Sequence, residues 1–274
     1  MPILQALAIF GAGLAAGTIN AVVGSGTLIT FPTLLAFGYP PVLANVTNNV
    51  GLVPGVLSGV HGYRAELHGQ RDRVRRLGTA SLCGGLLGAI LLLVLPAEAF
   101  KAIVPVLICV ALVMVVLQPR LAAWVARRQR ARAPGAGPGG LGGLGEFGDV
   151  SDRRGAKAVG GPVLWALVFC TGIYGGYFGA AQGVLLIGLL GVAFDDSLQR
   201  VNAVKNVLAA VVNGVAAVIF IAFSHVAWGA AALLAAGSIL GGQLGAHVGR
   251  RLPPWGLRLV IVCVGCAALV KLLV

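Results

Sequence analysis

Polar residues are sparse along this chain and fall at intervals that bound long apolar stretches. Uncharged apolar runs cover residues 77–95, 102–117, 207–224, 227–246 and 259–270. Most approach the ~20 residues that an α-helix needs to cross the hydrocarbon core of a bilayer. Residues 24–49, GSGTLITFPTLLAFGYPPVLANVTNN, depart from that pattern. A small-residue break, Gly24-Ser25-Gly26-Thr27, opens a short apolar segment, and a Gly38-Tyr39-Pro40-Pro41 turn closes it. The next apolar segment carries Asn45, Thr47, Asn48 and Asn49. The pattern predicts a broken pair of segments over 2–37, the second short for a full span: a re-entrant hairpin or two short helices. A helix near 42–62 follows, then a basic loop at 63–76 and spans at 77–95 and 100–117.

The plan recurs 157 residues further on, in AQGVLLIGLLGVAFDDSLQRVNAVKN at 181–206. Gly26 falls on Gly183, Asn45 on Asn202, Asn48 on Lys205 and Asn49 on Asn206. Ser81-x-x-Gly84-Gly85-x-x-Gly88-Ala89 falls on Ser238-x-x-Gly241-Gly242-x-x-Gly245-Ala246. A gapless register over more than sixty residues, 26–89 on 183–246, marks an internal repeat, and paired repeats are a transporter signature. The second copy predicts a broken pair over 162–194, a helix near 198–223, a short loop around His225, and spans at 229–249 and 255–274. The expected fold is an all-α integral membrane protein with two inverted repeats, residues 1–118 and 161–274. Each repeat is a broken or re-entrant helix pair followed by three transmembrane helices, about eight spans or span-like segments in all. Between them, residues 119–160 join an Arg-rich run to the tract APGAGPGGLGGLGEFG, which predicts a basic, disordered cytoplasmic linker.

Composition agrees. The chain is 58% hydrophobic and only 10% charged, with mean hydropathy +0.95, too little charge to clothe a soluble surface. Its 42 glycines suit helices that approach closely in lipid. A net charge of +12 invites a nucleic-acid reading, but 13 of the 20 basic residues lie in 64–76 and 120–157. That clustering is typical of loops beside anionic lipid, so the bilayer and not nucleic acid is the expected partner. Cys83, Cys109, Cys170, Cys263 and Cys266 all sit in apolar segments and read as small packing residues. The N-terminus lacks a basic lead-in, so residues 1–22 read as a retained membrane segment.

Charge also orients the halves. Arg64, Arg71, Arg73, Arg75 and Arg76 follow the 42–62 helix, whereas the matching loop at 224–228 is uncharged; the later turn is neutral in the first half and carries Arg250 and Arg251 in the second. Positive residues mark the cytoplasm. Equivalent loops are therefore expected on opposite sides of the membrane, which makes the repeats inverted and puts both termini outside.

Breaks at matched positions of inverted repeats point to a substrate site near the midplane. Gly24, Gly26 and Gly183 form the break backbone, and the amides that start the half-helices at 25–27 and 182–184, with side chains of Ser25, Thr27 and Gln182, are the candidate donors to an anion; the competing reading is that these glycines only permit close packing. Asn45, Asn48 and Asn49 share one helical face, as do Asn202, Lys205 and Asn206, and such faces should point into the bundle. Lys205 adds one positive charge where the repeat predicts none, which suits an anionic substrate. The competing reading has the asparagines as caps and Lys205 snorkelling to the cytoplasmic interface. Asn213 and Gln243 are further cavity candidates. No P-loop, HExxH or nucleophile elbow occurs, so no enzymatic role, metal or cofactor is expected.

These motifs resemble the TauE/SafE family of sulfite-exporter-like permeases. The resemblance rests on Val23-Gly24-Ser25-Gly26-Thr27-Leu28 followed by Gly38-Tyr39-Pro40-Pro41-x-x-Ala44-Asn45, on the Gly-rich 175–183, and on the repeated Gly-Gly-x-x-Gly-Ala pattern. It covers nearly the whole chain outside 119–160. It implies a polytopic plasma-membrane transporter of small, often sulfur-containing anions such as sulfite or organosulfonates. The second copy reads Ala181-Gln182-Gly183 where the first has Gly24-Ser25-Gly26, which leaves the substrate open. The expectation is an anion exporter of the bacterial-type inner membrane. A channel-like anion pathway and a non-transporting scaffold recruiting partners through the basic linker are the alternatives, and a homo-oligomer is left open.

Overall fold

A computed structural model of the chain describes residues 1–132, 161–194, 196–248, 261–264 and 266. Among these residues there are α-helices and one 3-10 turn but no strand. The first half comprises α1 (Ile3–Val22), α2 (Thr27–Ala36), α3 (Pro41–Gly62), α4 (Arg71–Val94) and α5 (Ala97–Arg132). The second comprises α6 (Pro162–Tyr177), α7 (Gln182–Ala193), α8 (Leu198–Phe223) and α9 (Trp228–Val248).

Local chemistry explains the boundaries. α1 ends where Gly24, at φ +85°, turns back and donates its amide to the Ile19 carbonyl at 3.0 Å, a C-terminal glycine turn. α3 and α6 each begin on a proline, whose missing N–H costs nothing at the first helical position. Ser197 caps α8 by accepting from the Arg200 amide. α2 and α7 have 10 and 12 residues, so they rise only ~15–18 Å, about half of a hydrocarbon core. By length, neither crosses a bilayer alone.

α1, α4, α5, α8 and α9 are long and apolar enough to span. α3 matches them in length, and its diluting polar residues Asn45, Asn48 and Asn49 are all buried. The distribution is that of a protein in lipid. Leu82, Leu86 and Ile90 of α4, Val106 and Val110 of α5, and Val218 and Ile221 of α8 are exposed, while asparagines, Gln182 and Lys205 lie inside. The five cysteines are free and exposed, so they face outward and do not serve the packing role expected of them.

The halves are interlocked. α9 packs on α1 and α3, and α4 packs on α6 and α8, while α3 and α8 meet in the middle. Under the 157-residue shift α1 corresponds to α6, α3 to α8 and α4 to α9, so these pairings exchange with one another. The repeated glycines make the exchange possible. A Cβ on Gly241 would strike the Leu14 carbonyl of α1, and one on Gly84 would strike the Phe169 carbonyl of α6. Backbone-to-backbone contact of this kind is how small residues hold helices together in lipid.

Two boundaries differ from expectation. α4 starts at Arg71, because RDRVRR is a good helix former with Asp72 favourably placed in the first turn. α5 continues to Arg132, so residues 119–132 of the expected linker are helical. Their Ala, Leu and Arg content favours helix, and the Gly/Pro tract begins only at Pro134. The remainder of the linker, Asp195, Arg250, Arg251 and all but five residues of the expected 255–274 span lie outside the described residues.

Candidate functional site

The two helix breaks meet. The Gly183 amide donates to the Gly24 carbonyl at 3.1 Å. A Cβ built on either glycine would lie 2.5 Å from the other's Cα, so no side chain fits at the crossing. The second break is shaped by left-handed backbone at Gly179 (φ +78°) and Ala181 (φ +60°).

Each polar face then reaches across to the end of the other half's first helix. From α3, the Asn45 side chain donates to the Tyr177 carbonyl at 2.9 Å. From α8, Asn202 donates to the Ala21 carbonyl at 3.0 Å, Asn206 to the same carbonyl at 3.5 Å, and the Lys205 ammonium to the Asn20 carbonyl at 3.0 Å. Helix C-termini carry carbonyls without intrahelical partners and a partial negative charge. The faces therefore secure the broken helices, and on the α8 side a cation sits where it is electrostatically favoured.

Asn48 is enclosed. It accepts from the Thr30 hydroxyl in a short bond, and its amide reaches the Thr27 hydroxyl at 3.4 Å. Asn49 donates to the Asn213 carbonyl oxygen of α8 at 3.0 Å. Thr47 accepts from the Ala227 amide at 3.1 Å. Gln243 bonds to Ser58 at 2.9 Å, tying α9 to α3.

A small cavity of ≈ 20 Å³ lies against the crossing, bordered by Asn20, Gly24, Gln182, Gly183, Lys205 and Asn206 among others. That is room for about one water molecule. Of the expected site residues, Gln182, Lys205, Asn206, Gly24 and Gly183 converge there. Ser25, Thr27, Asn45, Asn48, Asn49, Asn202 and Gly26 do not line it, though Ser25 and Asn202 are buried with an unpartnered oxygen each. Gln182 is buried with its amide nitrogen unpartnered. Lys205 is 1% exposed, which disposes of the snorkelling alternative. It is the only buried charged side chain among the described residues, and no described carboxylate pairs with it. Burying an unpaired cation costs several kcal/mol (~ order of magnitude) unless something compensates.

Four of the expected amide donors are corrected. The Gly26 amide donates to the Asn20 side chain at 2.7 Å, Gly183 to Gly24, Val184 to the Ala181 carbonyl at 3.0 Å, and Gln182 to the Gly179 carbonyl at 3.4 Å. These four amides, of the six expected at 25–27 and 182–184, already have protein acceptors, and the formal positive charge bordering the cavity is that of Lys205. Two residues escaped the sequence reading. Asn20 caps the first break with its side chain and receives Lys205 with its carbonyl; its repeat counterpart is Tyr177, so comparing the copies passes it over. A polar residue one turn ahead of a glycine break was the available signal. Thr30, the other, is hidden inside an apolar decapeptide.

Comparison with known proteins decides the family. The profile described as "Sulfite exporter TauE/SafE" matches residues 9–272. This chain belongs to that family. Similar curated proteins include the "Probable membrane transporter protein YfcA" of Escherichia coli K12, 26% identical over 278 residues, which cover 99% of this chain and 90% of that protein. The "Probable membrane transporter protein ORF9" of a Sinorhizobium species is 25% identical, covering 97% and 91%. A "Probable membrane transporter protein" of Haemophilus influenzae is 27% identical, covering 88% and 83%. No solved structure gives a significant match. The TauE/SafE chain is thus a multi-pass membrane transporter, and the residues that carried the family resemblance, 23–28 and 38–45, form the first break and the α2–α3 turn of the site.

Proposed function

We propose that this TauE/SafE-family protein carries a small anion, of the sulfite or organosulfonate class, out across a bacterial-type inner membrane. The observation that carries the reading is Lys205: a buried cation with no carboxylate partner among the described residues, beside a cavity where the crossing helix breaks meet. An anion arriving there would supply the missing counter-charge, and the free amide nitrogen of Gln182 offers a further donor. An inside-negative potential favours exit of an anion by ~2.3 kcal/mol per charge per 100 mV, so export runs without a coupling ion. The enclosed ≈ 20 Å³ cavity supports a carrier, which shuts around its solute, over an open pore. Inversion of the repeats is supported by the contrast between the basic loop at 63–76 and its uncharged equivalent at 224–228.

The test is efflux of sulfite, sulfoacetate, taurine and thiosulfate from proteoliposomes, alongside a thermal-shift panel of the same solutes and simple carboxylates. Lys205→Ala is expected to weaken transport and ligand-induced stabilisation, and Lys205→Glu to abolish both. Unchanged transport in two well-folded variants would remove Lys205 from the site. Labelling that places residues 224–228 and 63–76 in one compartment would end the inverted arrangement.

A further inference from the structure

A second cavity lies away from the helix breaks. It is a cleft of ≈ 480 Å³ at the start of α4, rimmed by Arg64, His68, Arg71 and Arg75. Its apolar wall is built from Leu67, Val74 and Val207. No acidic residue lines it. Asp196 is engaged with Arg73 and Arg200, and Asp72 lines a separate 170 Å³ cavity with Arg73 and Arg76. Helical geometry explains the sorting: Arg71 and Arg75 are four residues apart and share a face, while Arg73 between them points away. Three arginines thus rim the cleft with no acidic residue among its described lining, at the end of a membrane-spanning helix and against an aliphatic wall.

α8 stands between this cleft and the central cavity. Val207 lines the cleft, whereas Lys205, Asn206 and Ala209 line the cavity on another face of the same helix. The cleft is therefore not a vestibule to Lys205. It also lacks a counterpart in the second repeat, where the equivalent 224–228 loop has no charged residue.

We propose that this cleft binds a phosphate anion, and that the source is the headgroup of an anionic phospholipid on the basic side of the membrane, with an acyl chain against Leu67 and Val74. Planar guanidinium groups recognise phosphate oxygens in paired hydrogen bonds, and an aliphatic wall beside them suits a lipid better than a free ion. The inference rests on the membrane location of α4 and is independent of whether sulfite is the cargo.

The test uses full-length protein in a neutral detergent, incubated with dioleoyl phosphatidylglycerol or dioleoyl phosphatidylcholine, with retained lipid counted by native mass spectrometry. The expected result is preferential retention of phosphatidylglycerol, lost by about tenfold or more in Arg71→Gln/Arg75→Gln. Arg127→Gln, at an exposed arginine on the α5 extension, should retain lipid like the parent. Excess glycerol phosphate should not displace the lipid. Equal retention of both lipids, an unaffected double variant, or an equal loss with Arg127→Gln would overturn the site. Displacement by glycerol phosphate would keep the phosphate chemistry and overturn the lipid as its source.

Discussion

On α3, Asn48 is held by hydroxyls from its own half, Thr27 and Thr30 of α2. On α8 the equivalent residue is Lys205, and the positions matching Thr27 and Thr30 are Val184 and Ile187. With no hydroxyl offered there, the ammonium turns to the Asn20 carbonyl of the other half. Of the flanking asparagines, Asn45 and Asn202 keep the same bracing role, each bonded to the end of the other half's first helix, while Asn49 bonds to Asn213 of α8 and Asn206 to the Ala21 carbonyl. The duplicated frame has thus been retained while charge has been concentrated in one copy. In the neutral copy Asn48 has both side-chain groups bonded, to Thr30 and Thr27. The charged copy has capacity left, since an ammonium carries three donors and the bond to the Asn20 carbonyl engages one of them.

Making the two copies alike is the sharpest way to probe that difference. Asn48→Lys puts a second cation where two threonines now close around a neutral amide, and should cost several kcal/mol, on the order of 3–5. Loss of the monodisperse peak on fluorescence-detected size exclusion checks it. The opposite change, Lys205→Asn, should leave a folded protein whose transport falls about 10–100-fold, the range for losing a charged hydrogen bond to ligand. Initial efflux rates in proteoliposomes measure this, and a wild-type rate would show that asymmetry of charge is not what binds the solute.

Smaller changes separate bracing from binding. Thr30→Val strips Asn48 of a donor and should destabilise by about 1–2 kcal/mol, seen as a lower melting temperature with substrate affinity retained. Last, Asp196→Asn removes the pairing with Arg73 and Arg200 at the α7–α8 turn, where the first copy has uncharged Tyr39. These side chains are part-exposed, at 39% and 21% for Arg73 and Asp196, so the expected loss is below about 1 kcal/mol and shrinks with salt.

Much of this frame was legible from residue order because its devices are local. Glycine breaks, a proline at a helix start and half-length apolar segments each announce themselves within a few residues, and the 157-residue register located α2 and α7 as counterparts. The polar faces were legible too, since three polar groups at helical spacing in an apolar segment have nowhere to go but inward. What escaped depends on partners far away in sequence. That the Gly183 amide is taken by Gly24, or that Asn20 closes the first break, follows from helix placement and not from spacing. The cysteines were misplaced for a related reason: on a helix apolar all round, periodicity does not say which side meets lipid. The start of α4 and the extension of α5 were missed because basic residues were read as loop, although arginine is a good helix former.

The exchange of α4 and α9 between the halves bears on how the protein is made. α1 leaves the ribosome first, yet the surface it rests on belongs to α9, more than two hundred residues later. At about 5–20 residues per second that is a delay of roughly ten to forty seconds. During this interval the small-residue stripe of α1 lies bare in the bilayer, open to a wrong neighbour or to an insertase that shields it. Severing the chain between α5 and α6 would yield two fragments, neither with a complete interior, able to mature only when synthesised together.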